Sequence, residues 1–206
     1  MMDQIRSYIA THRETVDRLP LERIAQVVDA LQTARLTGRQ VFIMGNGGSA
    51  STASHFVCDL AKNTRLPNLP HFRVIGLTDN MAIFSAYAND EGYENVFAAQ
   101  LANLVEADDV VIAISASGNS TNVIKAVEEA RRHNAMAVGF TGFDGGRLAS
   151  LVDIHVHVDS HIIEHVEDIH LMLEHMIVKA LKDSSDEVIV FPDHADEPAA
   201  EVLRNG

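Results

Sequence analysis

Residues 41–51 read Val-Phe-Ile-Met-Gly-Asn-Gly-Gly-Ser-Ala-Ser, and residues 110–120 read Val-Val-Ile-Ala-Ile-Ser-Ala-Ser-Gly-Asn-Ser. Each stretch is a short apolar run, then a small hydroxyl-rich loop, then a helical pattern. A strand feeding such a loop into a helix is how α/β proteins hold phosphate. Backbone N–H groups face the anion, the helix N-terminus adds positive potential, and glycine lets the backbone come close. Serine hydroxyls add donors without adding charge. Two such loops in one chain of 206 residues point to a phosphorylated small molecule.

Outward from these loops the chain alternates. Strands are predicted near 40–44, 73–77, 109–114, 136–140 and 153–158, and helices over 49–62, 82–88, 95–105, 120–132, 145–150 and 162–182. The strands are short, rich in Val and Ile, and apolar throughout, as strands covered on both faces are. Strand–helix alternation implies right-handed crossovers and a parallel sheet of five strands with helices on both sides, an α/β fold. Ligands in such sheets sit at the carboxyl ends of the strands, where both Ser/Gly loops lie. Residues 3–17 and 21–37 read as two further helices, separated at Pro20 and closed by Gly38. Segment 1–38 belongs to no βα unit and is expected to cap the sheet or pack on a partner subunit. The α/β domain is expected over 39–182.

Composition narrows the function. With 47% apolar residues the chain supports one well-buried domain. The formal charge of −13 argues against nucleic acid and anionic membranes as partners. An anionic substrate must therefore be held by local groups against the overall field. Residues 183–206 carry seven acids and one base, with Pro192 and Pro198, and read as a poorly ordered acidic tail. There is no apolar run long enough to span a bilayer and no signal-peptide pattern, so a cytoplasmic location is expected. Cys58, the single cysteine, reads as a small buried hydrophobe.

Candidate chemistry lies on two helices. His55 and Asp59 are four apart, on one face of the helix that opens at the first loop. They form either a solvated surface pair or a pair presented to the loop's ligand. The last helix mixes His161, His165, His170 and His175 with Glu164, Glu167, Asp168 and Glu174, among apolar residues at core spacing. Histidine with carboxylate suits zinc or another divalent transition ion, and His55, Asp59, Glu167 and His175 are available as ligands. Residues 167 and 175 are eight apart, about 12 Å along a straight helix. A shared site between subunits, or a bent helix, is therefore expected. Asn89 and Asp90 read as an Asx turn and helix cap, or as acceptors for sugar hydroxyls.

Taken in order, these motifs carry a resemblance. They are Gly45-Asn46-Gly47-Gly48-Ser49, His55 with an acid four residues on, Ala88-Asn89-Asp90, Ser115-x-Ser117-Gly118-Asn119-Ser120, Thr141-Gly142-x-x-Gly145-Gly146, and a last helix with Glu167-Asp168-Ile169-His170 and His175. Over about residues 5–182 the chain resembles the SIS (sugar isomerase) domain family, within it the sedoheptulose 7-phosphate isomerases, or phosphoheptose isomerases. The resemblance implies a homotetramer with active sites between subunits and one zinc ion per site. It also implies conversion of sedoheptulose 7-phosphate to D-glycero-D-manno-heptose 7-phosphate through an enediol. Asn46, Gly47, Gly48, Ser49, Asn89, Asp90, Ser115, Ala116, Ser117, Ser120 and Glu167 match substrate-binding positions. His55, Asp59, Glu167 and His175 fall on metal positions, and Asp59 with His175 on the general acid/base pair. The chain departs from the family's usual residues in having Asp at 59 for Glu, Glu at 167 for Gln, and Ala at 116 for Thr. Rival readings are a non-catalytic SIS module, sensing sugar phosphates or binding a replication initiator, and an isomerase of another sugar phosphate. All four polar positions are retained, which favours an enzyme.

Overall fold

A computed structural model describes residues 1–184. All but the first two residues of the expected acidic tail lie outside that range. The sheet consists of β1 (Gln40–Gly45), β2 (Arg73–Gly76), β3 (Val110–Ile114), β4 (Met136–Thr141) and β5 (Ile154–His157). Its order is β2-β1-β3-β4-β5, and every pairing is parallel. The five-stranded α/β architecture expected from the sequence is thus the one observed.

Along β1 and β3 the side chains alternate between two cores. Val41, Ile43, Val110, Ile112 and Ile114 face α2 (Leu21–Leu36), α3 (Gly48–Cys58) and α7 (Ile163–Asp183). Phe42, Met44, Val111 and Ala113 face α5 (Ala98–Ala102) and α6 (Thr121–Arg132). From Val41 to Gly45 and from Val110 to Ile114 these two strands are fully buried because each face has a helical layer, which explains the unbroken apolar runs. Ile24, Val27 and Leu31 pin α2 to the sheet. By contrast α1 (Met2–Val16) leaves Met2, Ile5 and Ile9 exposed.

Four expectations need correction. The helix predicted over 145–150 is only a 3-10 turn at Leu148–Ser150. Gly145 and Gly146 take φ of +79° and +56°, and this left-handed backbone interrupts any helix there. The helix predicted over 95–105 shrinks to α5, after a 3-10 turn at Tyr93–Asn95. The helix predicted over 49–62 stays α only to Cys58 and continues as a π-helix over Asp59–Asn63. Cys58 is exposed, because Phe56 and Leu60 take the inward positions around it. The segment predicted over 82–88 forms α4 (Met81–Asp90), capped by the Asn80 side chain, which accepts from the Ile83 N–H.

Candidate active site

The two Ser/Gly loops lie side by side at the carboxyl ends of β1 and β3, which pair directly. Together with α7 they enclose a cavity of about 190 Å³. Asn46 and Ser49 line it from the first loop, Ser115, Ala116, Ser117 and Ser120 from the second, and Ile163 and Glu167 from α7. The loops are tied together by a reciprocal amide pair. Asn46 Nδ2 donates to Asn122 Oδ1 and Asn122 Nδ2 donates to Asn46 Oδ1, both at 2.9 Å. The Tyr93 hydroxyl also donates to Asn46 Oδ1, at 2.8 Å. Ser115 and Ser120 stand with hydroxyl oxygens 3.2 Å apart, across the start of α6. Gly118 closes the second loop at φ +63°, and a β-carbon there would lie 1.9 Å from the Gly145 carbonyl oxygen. The glycine pair that interrupts the predicted helix therefore supports the serine loop from behind.

Helices α3 and α7 run alongside each other, and two contacts fix their register. At one end the Glu167 carboxylate lies over Gly48, where an added β-carbon would meet Oε1 at 2.4 Å. Seven residues further along both helices, His55 Nε2 lies 3.5 Å from Glu174 Oε1. Because both steps are seven residues in the same direction, the helices are parallel. The second contact lies about 10 Å beyond the first along the helix axes.

Around that second contact four groups converge. His55 Nε2 is 3.8 Å from Asp59 Oδ1. His175 Nε2 is 3.4 Å from Glu174 Oε1. The His55 and His175 rings meet edge-on with centroids 5.0 Å apart. One ligand atom from each of His55, Asp59, Glu174 and His175 can be chosen so that all lie within 4.8 Å of one another. A tetrahedral zinc ion with bonds near 2.0–2.1 Å spaces its ligands by about 3.4 Å, so this set fits a divalent ion with little adjustment. Glu174 adds a second sign. Its side chain is 0% exposed, and among the described residues neither carboxylate oxygen has a hydrogen-bond partner. Burial first, and the neighbouring Asp59 charge second, push its pKa from 4.5 up to about 7. A buried carboxylate without a hydrogen bond is costly unless a cation completes it.

Glu167, expected among the metal ligands, is placed instead at the cavity beside Gly48, and Glu174 meets the histidines. The expected bend or sharing between subunits loses its premise here. Glu174 and His175 are adjacent on an uninterrupted α7, and all four groups come from one chain. Gly47 takes a positive φ of +54° and turns the first loop into α3. Asn89 and Asp90 lie at the end of α4, where Asn89 Nδ2 donates to Asp90 Oδ1 at 2.7 Å. They do not line the 190 Å³ cavity. Sequence reasoning missed Asn122, Tyr93 and the ligand position of Glu174. Only the i,i+1 pair Glu174-His175 on a mixed polar and apolar helix signalled the last of these.

Residues 6–142 match the family model described as "SIS domain". A probable phosphoheptose isomerase of Thermoplasma acidophilum is 37% identical over 159 residues, 77% of this chain and 87% of that protein. The phosphoheptose isomerase of Geotalea daltonii is 35% identical, over 88% of this chain and 96% of its own. Among solved structures, a phosphoheptose isomerase from Francisella tularensis superposes with a TM-score of 0.81 at 32% identity, over 88% of this chain and 98% of the other. GmhA from Neisseria gonorrhoeae, a phosphoheptose isomerase, gives 0.81 at 26% identity, covering 91% and 99%.

Proposed function

The chain belongs to the SIS domain family and to its phosphoheptose isomerases, and from that premise we propose that it interconverts sedoheptulose 7-phosphate and D-glycero-D-manno-heptose 7-phosphate. The observation that carries the choice of a long sugar phosphate is the parallel register of α3 and α7. It holds the Gly48–Glu167 contact, at the wall of the serine cavity, about 10 Å along the helix axes from the cluster of His55, Asp59, Glu174 and His175. That span suits an extended seven-carbon sugar, with its phosphate at one end and its carbonyl at the other.

Ser115, Ser117 and Ser120 bind the phosphate with the N-terminus of α6 behind them. That grip on the distant end positions the reacting carbons. Glu167, beside Gly48 at the serine end of the span, accepts hydrogen bonds from the sugar hydroxyls next to the phosphate. Asn89 and Asp90 remain proposed substrate contacts at the edge of the site.

At the far end, aldose–ketose exchange moves a proton between C1 and C2 through an enediol. Asp59 is the base. Its Oδ1 faces His55 while Oδ2 has no hydrogen bond among the described residues, and is free to take the carbon-bound proton. His175, half exposed beside Glu174, exchanges the proton on the substrate oxygens. His55, Asp59, Glu174 and His175 would hold a divalent ion, for which zinc fits the donor set, and such an ion would supply Lewis-acid polarisation of the carbonyl.

A homotetramer fits the exposed apolar residues of α1 and the half-exposed histidines, whose outer side a neighbouring subunit would cover. No helix among the described residues is long and apolar enough to cross a membrane. A cytoplasmic enzyme suits a charged, membrane-impermeant substrate.

The test is incubation with sedoheptulose 7-phosphate, following aldose formation. Turnover is expected, lost with a chelator and restored by zinc. Asp59→Asn and His175→Ala are each expected to abolish it. No turnover by zinc-loaded protein refutes the substrate, and full turnover by both variants refutes the roles given to them.

A further inference from the structure

We propose that Asn63 is a positioning residue that holds the Asp59 carboxylate in its working orientation, a role that rests on the reading of Asp59 given above. Asn63 Nδ2 donates to Asp59 Oδ1 at 2.7 Å, and this is the one hydrogen bond of the Asp59 carboxylate among the described residues. The bonded oxygen is the one that faces His55. Nothing else fixes the carboxylate. Its neighbour Glu174 is another acid, and the His55 contact is 3.8 Å long.

The backbone around the pair is unusual. The helix changes from α to π at Asp59 and stays π as far as Asn63, so both partners lie within the single π segment. Here the π segment closes α3 and ends at Thr64, and π turns of this length are found frequently at functional sites. This one is tethered behind Asn63. The Thr64 hydroxyl donates to the Leu60 carbonyl at 2.7 Å. The buried guanidinium of Arg35 donates through Nη2 to the Thr64 carbonyl at 2.9 Å and through Nε to the Pro70 carbonyl at 2.6 Å. The same guanidinium lies 5.1 Å from the centre of the Phe72 ring. Asn63 is thus carried on an anchored backbone.

A neutral amide suits this place. Asp59 and Glu174 already set two carboxylates side by side, and either must swing away from the other unless something holds it. A lysine or arginine at 63 would hold Asp59 but also neutralise it and repel a bound cation. An amide donor orients the carboxylate and leaves its charge for the ion and for proton transfer. Partners that orient ligating carboxylates typically cost 10–100-fold in metal affinity or activity when removed.

The alternative is that Asn63 merely closes a helix end. An i,i+4 amide–carboxylate bond on a helix is a weak stabiliser, and its loss would move thermal stability but neither ion affinity nor kcat. The test uses purified full-length protein and Asn63→Leu, which keeps the volume and removes the donor. Asn63→Gln, which keeps a donor, is the second variant. Zinc affinity is measured by competition with a chromogenic chelator, and kcat and KM with sedoheptulose 7-phosphate. For Asn63→Leu the expected result is a 10–100-fold weaker zinc affinity and a comparable fall in kcat, with KM within about twofold. Asn63→Gln should recover part of both. In an Asp59→Asn background, Asn63→Leu should have no further effect on zinc affinity. Wild-type zinc affinity and kcat in Asn63→Leu overturn the proposal, as does an undiminished effect in the Asp59→Asn background. Because zinc competition needs no substrate, wild-type protein that binds zinc without turning over the sugar refutes the substrate and leaves the Asn63 comparison decisive.

Discussion

Removing the charge of Glu174 should stabilise the protein when it is stripped of metal and weaken it as a metal binder. The carboxyl is 0% exposed and its pKa is raised from 4.5 to about 7 by burial and by Asp59. A raised carboxyl pKa means that the folded chain holds a proton the unfolded chain has lost. Stability then falls as pH rises through the window from 4.5 to about 7, and the full penalty remains above it. From one pH unit above the folded pKa down to pH 5, where the proton is mostly back, the difference is about 2.5 kcal/mol at 1.36 kcal/mol per unit. Glu174→Gln has no such window. Its own cost, an amide N–H donor pair and a carbonyl to satisfy in the same buried place, is the same at every pH and drops out of the comparison. For a domain of this size 1 kcal/mol moves Tm by about 2–4 °C, so the advantage of the variant in Tm should grow by about 5–10 °C between pH 5 and pH 8. The assay is thermal unfolding of chelator-treated protein at the two pH values, repeated with zinc. Zinc at a hundred times its Kd should add about 2.7 kcal/mol to the wild type, and much less to Glu174→Gln. An offset in Tm that does not change with pH, or equal zinc stabilisation of both proteins, refutes the account of Glu174.

Three other substitutions probe other parts of the structure. Gly48→Ala places a β-carbon 2.4 Å from Glu167 Oε1, a flexible side-chain end. Folding should be kept while KM for the sugar phosphate rises, and a double variant with Glu167→Ala should relieve the collision but not restore KM; unchanged KM in Gly48→Ala would contradict the placement of Glu167. Gly118→Ala combines φ +63° with a β-carbon 1.9 Å from the Gly145 carbonyl oxygen. Backbone strain of about 1–2 kcal/mol adds to a clash that only a shift of the loop relieves, so denaturant unfolding should show a loss of at least that size. His170 is buried and its pKa is lowered from 6.5 to about 4, mainly by desolvation. The unfolded chain takes up its proton first, so stability is lost as pH falls from 6.5 towards 4. Chemical unfolding of His170→Leu should gain about 2 kcal/mol relative to wild type between pH 7 and pH 5, and parallel pH curves would show that His170 does not carry this loss.

The phosphate end of the site was legible because its signals are local. Gly, Ser and Asn after an apolar run specify a turn into a helix whatever the rest of the chain does. His55 and Asp59 were legible for the same reason, being four apart on that helix. The partner from α7 was not. That helix offers Glu164, Glu167, Asp168 and Glu174, and the one that meets His55 depends on how α7 is rotated against α3. Packing of Val166, Ile169, Leu173 and Ile177 on the sheet sets that rotation. Glu174 is thereby turned inward against the histidines, while Glu167 is carried to the serine cavity. The π segment at Asp59–Asn63 also escapes periodicity, because one widened turn shifts the pattern too little to read. At 145–150 the expected helix gives way to the left-handed backbone of Gly145 and Gly146, which lets the chain pass close behind Gly118.

The cluster around Glu174 has an inside and an outside. Its acids face inward, with the side chains of Glu174 and Asp59 exposed by 0% and 12%, and its histidines face outward, with His55 and His175 exposed by 44% and 50%. An arriving ion would meet the two half-exposed imidazoles before the buried carboxylates. Departure follows the same route in reverse, so a chelator can take hold of the ion from the histidine side without any unfolding of the chain. Metal exchange in the isolated subunit should therefore be rapid and first order in chelator. Anything that covers the two rings, whether bound sugar or a neighbouring subunit, would slow exchange without touching a single ligand bond.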